Sequence, residues 1–223
     1  FLIRGDVAHG YEQPNRLMIV NILFDPEGLD LPMDDLRRLP GYHVLFRIEP
    51  LMRRRHGFRS RLKLATDQLA EAAQLITRLE HELSARPAGH RFMARSHLMH
   101  LIGFLSRCYA DTDATERRSL LALGEVLSFI EKHYAEKITV DRLADMAAMS
   151  ESSLMRSFRR VTGKSPIDYV LGLRMAKAAE LLRGSDLTVT EVAFRCGFND
   201  SNYFSRQFRK VMGTSPRGYR QQS

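Results

Sequence analysis

The 223-residue chain is predicted to be mostly α-helical, with a short β-structured stretch at its start. Three observations carry this. The apolar period changes from strand-like to helical near residue 60, a heptad seam follows, and a set of apolar, basic and turn residues in the second half occurs twice at an offset of 50.

Residues 1–58 carry the β signals. Leu17 to Phe24 is rich in strand formers and is flanked by Gln13-Pro14-Asn15 and Asp25-Pro26-Glu27-Gly28, while Tyr42 to Ile48 reads as a second strand. Two or three strands are marginal alone, so they are read as the end of a sheet or barrel whose earlier strands precede Phe1. Residue 1 is not Met, and no charged stretch followed by an apolar one opens the sequence. That fits a chain without a signal peptide that begins inside a longer protein.

Residues 59–110 read as a helical hairpin. Leu62, Leu69, Ile76 and Leu83 recur every seven residues, with Ala65, Ala72 and Leu79 three positions on, up to Arg86-Pro87. A second helix, Phe92 to Tyr109, brings Leu98, Leu101, Ile102, Leu105 and Cys108. The seam has two uses open to it: packing on the N-terminal sheet, or contact with a second copy of the chain. Residues 111–118, polar and without a long apolar side chain, read as an inter-domain linker.

Residues 119–223 hold the repeat. Leu154-x-Arg156-x-Phe158 and Gly163-x-Ser165-Pro166-x-x-Tyr169 match Phe204-x-Arg206-x-Phe208 and Gly213-x-Ser215-Pro216-x-x-Tyr219, and Ala144-x4-Met149 matches Ala193-x4-Phe198. Each copy reads as helix, tight turn, helix. Thr188-x-x-Glu191 has capping-box spacing and Gly197 suits a left-handed turn position. Thr139 can cap a helix through Ala148, and Ser150 the one after it. Leu154, Phe158 and Val161 in copy one, and Phe204, Phe208 and Val211 in copy two, form apolar stripes with basic and polar residues on the opposite face. Between the copies, Ser165 can cap a helix that has Pro166 at its first position and runs to Arg183, about 27 Å long. One turn of duplex DNA is about 34–36 Å, so such a rod can hold two recognition helices over successive major-groove segments.

Charge agrees with a polyanionic partner. The net formal charge is +8, and residues 116–223 carry 18 basic against 12 acidic side chains. Other classes lack their apparatus. Two cysteines, Cys108 and Cys196, build neither a disulfide framework nor a thiolate zinc site, and fit a reducing cytoplasm. His97-x-x-His100 has no companion ligand, and no run of about 18 apolar residues could cross a bilayer. Gly163-Lys164-Ser165 echoes a phosphate loop but has Phe158 where a glycine is required, and no nucleophile elbow occurs. No catalytic residue, metal or cofactor is expected.

These motifs resemble the AraC/XylS family of bacterial transcription regulators, most specifically in Thr190-Glu191-Val192-Ala193 through Gly197-Phe198, in Tyr203-Phe204-x-Arg206-x-Phe208-Arg209-Lys210, and in Gly213-x-Ser215-Pro216-x-x-Tyr219. The resemblance implies a seven-helix DNA-binding domain over 119–223, with two helix-turn-helix units joined by a long helix. It carries DNA contacts to Ser152, Ser153, Met155, Arg156 and Arg159 in the first recognition helix, and to Ser201, Asn202, Ser205, Arg206, Arg209 and Lys210 in the second. Arg156 and Arg206 would contact a base or a phosphate, or make a surface salt bridge; Arg159, Arg209 and Lys210 would contact phosphates. Copy one departs from the family at Ala148, where a turn glycine is often found, and Met155 is a poor hydrogen-bonding reader.

Ile3 through Tyr11 is similar to a late strand of the cupin-like sensor barrel of sugar-responsive members, and Pro40-Gly41-Tyr42-His43 through Glu49-Pro50 resembles rhamnose-operon activators. Residues 1–58 would then be the end of an effector-binding domain, with His9 either touching an effector or serving structure, and the hairpin a dimerisation element. The implied partners are promoter DNA, RNA polymerase, a small-molecule effector such as a sugar, and a second copy, with activation as the family's habit. The competing reading is a helical adaptor that binds protein rather than DNA.

Overall fold

The structure, a computed structural model, describes residues 19–25, 29, 31–50, 62–110 and 115–221. Among them the chain is mostly helical and contains no strand. It divides into two compact units, Phe1–Gly124 and Glu125–Ser223.

In the first unit a 3-10 turn at Leu36–Arg38 leads to α1 (Pro40–His43), which continues as a π-helical stretch at Val44–Ile48. This overturns the strand expected over Tyr42 to Ile48. The buried residues Gly41, Val44, Leu45 and Ile48 recur at three-to-four spacing, with His43 buried beside them, a pattern that belongs to a helix rather than to the alternation of a strand. Pro40 at the first helical position fixes φ where the helix starts, with Leu39 extended before it. The strand expected over Leu17 to Phe24 is not formed either: residues 19–24 have no regular structure. They find no neighbouring strand to pair with among the described residues, and Ile22 and Phe24 pack instead on helices. Leu17, His9 and the rest of 1–18 lie outside the described residues.

The hairpin is present as α2 (Thr66–Ala85) and α3 (His90–Ala110). Its packed face keeps Ala72, Ile76 and Leu79 of the expected heptad seam but not Leu69 and Leu83. Ala72, Leu75 and Leu79 of α2 are buried with Ala94, Leu98, Leu101 and Ile102 of α3, whereas Leu69 is 59% and Leu83 55% exposed. Leu62 and Ala65 precede the helix. Of the expected linker, 111–114 lie outside the described residues, and the chain is already helical from Thr115 in α4 (Thr115–His133). The border between the two units falls within this helix.

Two buried polar groups mark the first unit's core. The Tyr109 hydroxyl donates to Glu49 Oε1 at 2.6 Å. His43 is fully buried; its Nε2 lies 2.6 Å from the Arg37 carbonyl, an acceptor, so Nε2 carries the proton, and Nδ1 has no partner. Burial first, and then the Arg47 charge, lowers the imidazole pKa from 6.5 to about 3. The unfolded chain therefore takes up a proton below about pH 6.5 that the folded unit refuses until about pH 3, and stability falls with acid through that window. Thermal unfolding between about pH 7 and 5, where carboxylates titrate little, should show a falling midpoint. The fall should shrink in His43→Leu; an equal fall in both would count against it.

The second unit continues from α4 through α5 (Val140–Met146), α6 (Glu151–Thr162), α7 (Pro166–Gly184), α8 (Val189–Arg195), α9 (Ser201–Met212) and α10 (Pro216–Gln221). A core of Met175, Ala178, Ala179 and Leu182 from α7 meets Val192, Ala193, Cys196, Phe198, Phe204 and Phe208. Both cysteines are buried and free, and burial pushes the Cys196 thiol up to about 11, so it is unreactive. Among the described residues, no helix is long and apolar enough to cross a membrane, and no group of three or more His, Cys, Asp or Glu side chains could hold a metal.

Candidate nucleic-acid interface

The sequence repeat is also a geometric repeat. In copy one Thr139 Oγ1 accepts from the Arg142 N–H and caps α5, and Ser150 Oγ accepts from the Ser153 N–H and caps α6. In copy two Thr188 Oγ1 accepts from the Glu191 N–H while Glu191 accepts back from the Thr188 N–H, completing the capping box. The Thr188 hydroxyl, which donates to Glu191 Oε2 at 2.7 Å, and then the Thr188 N–H hold the Glu191 carboxyl below its usual range. Asp200 caps α9, accepting from the Tyr203 and Asn202 N–H groups; those bonds, and to a lesser degree the Arg206 charge, keep it ionised.

The turns match bond for bond. Met149 N–H donates to the Ala144 carbonyl and Ala148 N–H to Asp145, as Phe198 N–H does to Ala193 and Gly197 N–H to Phe194. Both closing residues are left-handed, Ala148 at φ 50° and Gly197 at φ 82°. Helix α5 thus stops at Met146, two residues short of the expected Ala148. Gly163 and Gly213 end α6 and α9 at φ 74° and 79°. Beyond each, a tyrosine stands edge-on to its recognition helix: Tyr169 to Phe158 at 5.6 Å, Tyr219 to Phe208 at 5.4 Å. The Tyr169 hydroxyl donates to Glu131 at 2.8 Å, and Arg183 donates to the Tyr219 hydroxyl.

With Leu154, Phe158, Phe204 and Phe208 buried, each recognition helix has only one face left for a ligand. Ser152, Arg156 and Arg159 are exposed on α6, with Ser153 and Met155 half-buried; Asn202, Arg206, Arg209 and Lys210 are exposed on α9, with Ser201 and Ser205 half-buried. Ser205 is already engaged, its hydroxyl donating to the Ser201 carbonyl at 2.8 Å. Among the described residues, Arg156, Arg159, Arg206, Arg209 and Lys210 have no ion-pair partner. Among the described residues no salt bridge engages Arg156 or Arg206, so both faces present exposed arginines to solvent.

One stripe residue departs from expectation. Val161 is buried but Val211 is 48% exposed, because Val211 turns into a cleft between the two copies. That cleft brings Arg159 and Lys210 together; the other expected contact residues stand on their separate helix faces. Lys164, which lines it, was not expected to take part. The signal was the one basic residue in the otherwise repeated Gly-x-Ser-Pro turn, where copy two has Thr214.

The joint that orients the second copy was not legible either. Arg174 of α7 donates through Nε to the Tyr134 carbonyl at 2.7 Å and through its two Nη groups to the Gly197 and Glu136 carbonyls, each at 2.8 Å. Its guanidinium also lies 5.4 Å from the Phe198 ring centre.

A family profile described as a helix-turn-helix domain matches residues 143–222. The HTH-type transcriptional activator RhaR of Klebsiella pneumoniae is 32% identical over 226 residues, covering 100% of this chain and 76% of its own length. The HTH-type transcriptional activator RhaS of Escherichia fergusonii is 34% identical over 221 residues, covering 98% of this chain and 74% of its own. Among solved structures, the DNA-binding domain of AdpA in complex with a target DNA is 38% identical over 44% of this chain and 89% of that one, with a TM-score of 0.43.

Proposed function

Because this chain belongs to the AraC/XylS family of bacterial helix-turn-helix transcription regulators, we propose that it reads promoter DNA with α6 and α9 in successive major-groove segments. It is a DNA-binding transcription regulator and not an enzyme. The residues assigned to DNA are Ser152, Ser153, Met155, Arg156 and Arg159 from α6, and Ser201, Asn202, Ser205, Arg206, Arg209 and Lys210 from α9. The supporting observation is the pair of equivalent exposed arginine faces without internal partners. Helix α7 spans 19 residues, about 28 Å, a spacer close to one duplex turn. The test is selection of duplexes from a random library by the full chain, followed by footprinting. Two protected patches about one helical turn apart support the reading, and a chain that selects no duplex refutes it.

Activation is supported by the likeness to two transcriptional activators, and we propose with it a cytoplasmic site of action and a contact with RNA polymerase. Control by a small effector such as a sugar, bound by a cupin-like domain to which residues 1–58 would belong, is proposed on the same likeness. The hairpin 59–110 is assigned to dimerisation: Leu69 and Leu83 lie two heptads apart and more than half exposed on α2, an apolar edge left after the hairpin has closed. Leu69→Asp combined with Leu83→Asp should convert a dimer into a monomer in sedimentation, with unchanged helix content because neither residue is in the core. A mass equal to that of the parent chain would assign the hairpin to intramolecular packing alone.

A further inference from the structure

The two helix-turn-helix units border a cleft of about 530 Å³ that α7 floors. Arg159 and Lys164 reach it from the first copy and Lys210 from the second, over apolar Leu171 and Val211. One carboxylate lines it, Asp168, which accepts at 2.6 Å from the hydroxyl of Ser165, the residue that caps α7. Among the described residues, none of the three cations has a carboxylate partner. Lys164 is exposed and its ammonium lies 3.5 Å from where a side chain at Gly172 would begin, so the bare backbone of α7 lets it lean across the floor. Three like charges gathered at one opening repel each other unless an anion shares the space.

A duplex that offers major-groove segments to α6 and α9 presents the minor groove between them, about 6 Å wide and walled by two phosphate strands. We propose that the cleft is a third DNA contact, seating the phosphate backbone beside that minor groove, with Lys164 as a phosphate ligand added to Arg159 and Lys210. This rests on the DNA-binding reading above. A phosphate contact releases counterions and carries no base information, which separates Lys164 from Arg156 and Arg206.

The test uses the full chain, a 24-bp duplex that it has itself selected from a random library, and a scrambled duplex of the same length. Lys164→Gln should weaken both duplexes by the same factor and flatten the slope of log affinity against log salt by about 0.9. Neutral methylphosphonate linkages at the centre of the selected duplex should weaken the parent chain but add little to Lys164→Gln. An unchanged midpoint of thermal unfolding shows that the exposed substitution leaves the fold intact. A salt slope equal to the parent's, on a parent that binds steeply, would overturn the cleft contact and leave the DNA reading standing. An equal loss on single-stranded DNA would overturn the seating of the cleft beside a duplex minor groove. Absence of salt-dependent duplex binding by the parent chain would strike the underlying reading instead.

Discussion

Arg206→Ala should lower affinity for a selected duplex about 5- to 150-fold, the range expected when one bidentate arginine-to-guanine contact of about 1–3 kcal/mol is lost. The local structure favours so direct an effect. Arg206 lies in the second turn of α9, exposed and without an ion-pair partner, and Asp200, whose carboxyl caps the helix, is occupied by two backbone N–H groups. Removing the guanidinium breaks no salt bridge and takes away only a minor charge interaction with Asp200, so the loss is one of binding and not of folding. Arg156→Ala, at the equivalent point of α6, should act on the other half of the site, and the double substitution should lose the product of the two factors because the positions share no partner. The loss should be large on the selected duplex and small on a scrambled one. Arg78→Ala, the same change of charge on an exposed face of α2, should do little and serves as the control. Equal losses on both duplexes would make Arg206 a phosphate contact, and no loss from either arginine would remove the recognition faces from the DNA site.

What was legible beforehand and what was not divides along a physical line. Caps, turns and apolar stripes are local, and Thr139, Ser150, Ser165, Thr188 and Gly197 do in the structure what their spacing implies. The exposed arginines followed for the same reason: once Phe158 and Phe208 are buried, helical periodicity decides what faces out. The failures are tertiary. Tyr42 to Ile48 has strand-forming side chains, but with only helices to pack on among the described residues it coils so that Gly41, Val44, Leu45 and Ile48 share one buried face. The α2 seam was legible in part: Ala72 and Leu79 are buried and Ile76 packs beside them as the heptad implies, whereas Leu69 and Leu83 stay exposed and Leu75, outside the seam, takes a core place. Val211 and Lys164 gain their roles only because the two copies face a common cleft, a relation no single helix encodes. Arg174 looks in sequence like any helical arginine, and its three carbonyl partners come from two distant segments.

Gly197→Ala is expected to be the most damaging single substitution in the second unit. Its φ of 82° already disfavours a side chain, and an added Cβ would stand 2.3 Å from the Ala135 carbonyl oxygen and 2.7 Å from two further Ala135 backbone atoms. No rotamer relieves that clash, because the obstacle is main chain. Retreat is costly too: the Gly197 carbonyl and the carbonyls on either side of Ala135 are held by one guanidinium, that of Arg174, so separating the turn from the end of α4 breaks several charge-assisted hydrogen bonds together. The combined loss should reach about 3 kcal/mol or more, a fall of about 12 °C or more in the unfolding midpoint of a unit this size. Arg174→Met should reproduce much of it without the steric conflict. The equivalent residue of copy one should respond with the opposite sign. Ala148 holds the same left-handed turn at φ 50° with an exposed side chain, so Ala148→Gly relieves backbone strain and should stabilise by up to about 1 kcal/mol. Calorimetry on the pair decides whether the two turns differ by what abuts them. A midpoint for Gly197→Ala equal to the parent's, or a lower one for Ala148→Gly, would mean that the close approach of Ala135 does not hold the second recognition helix in place.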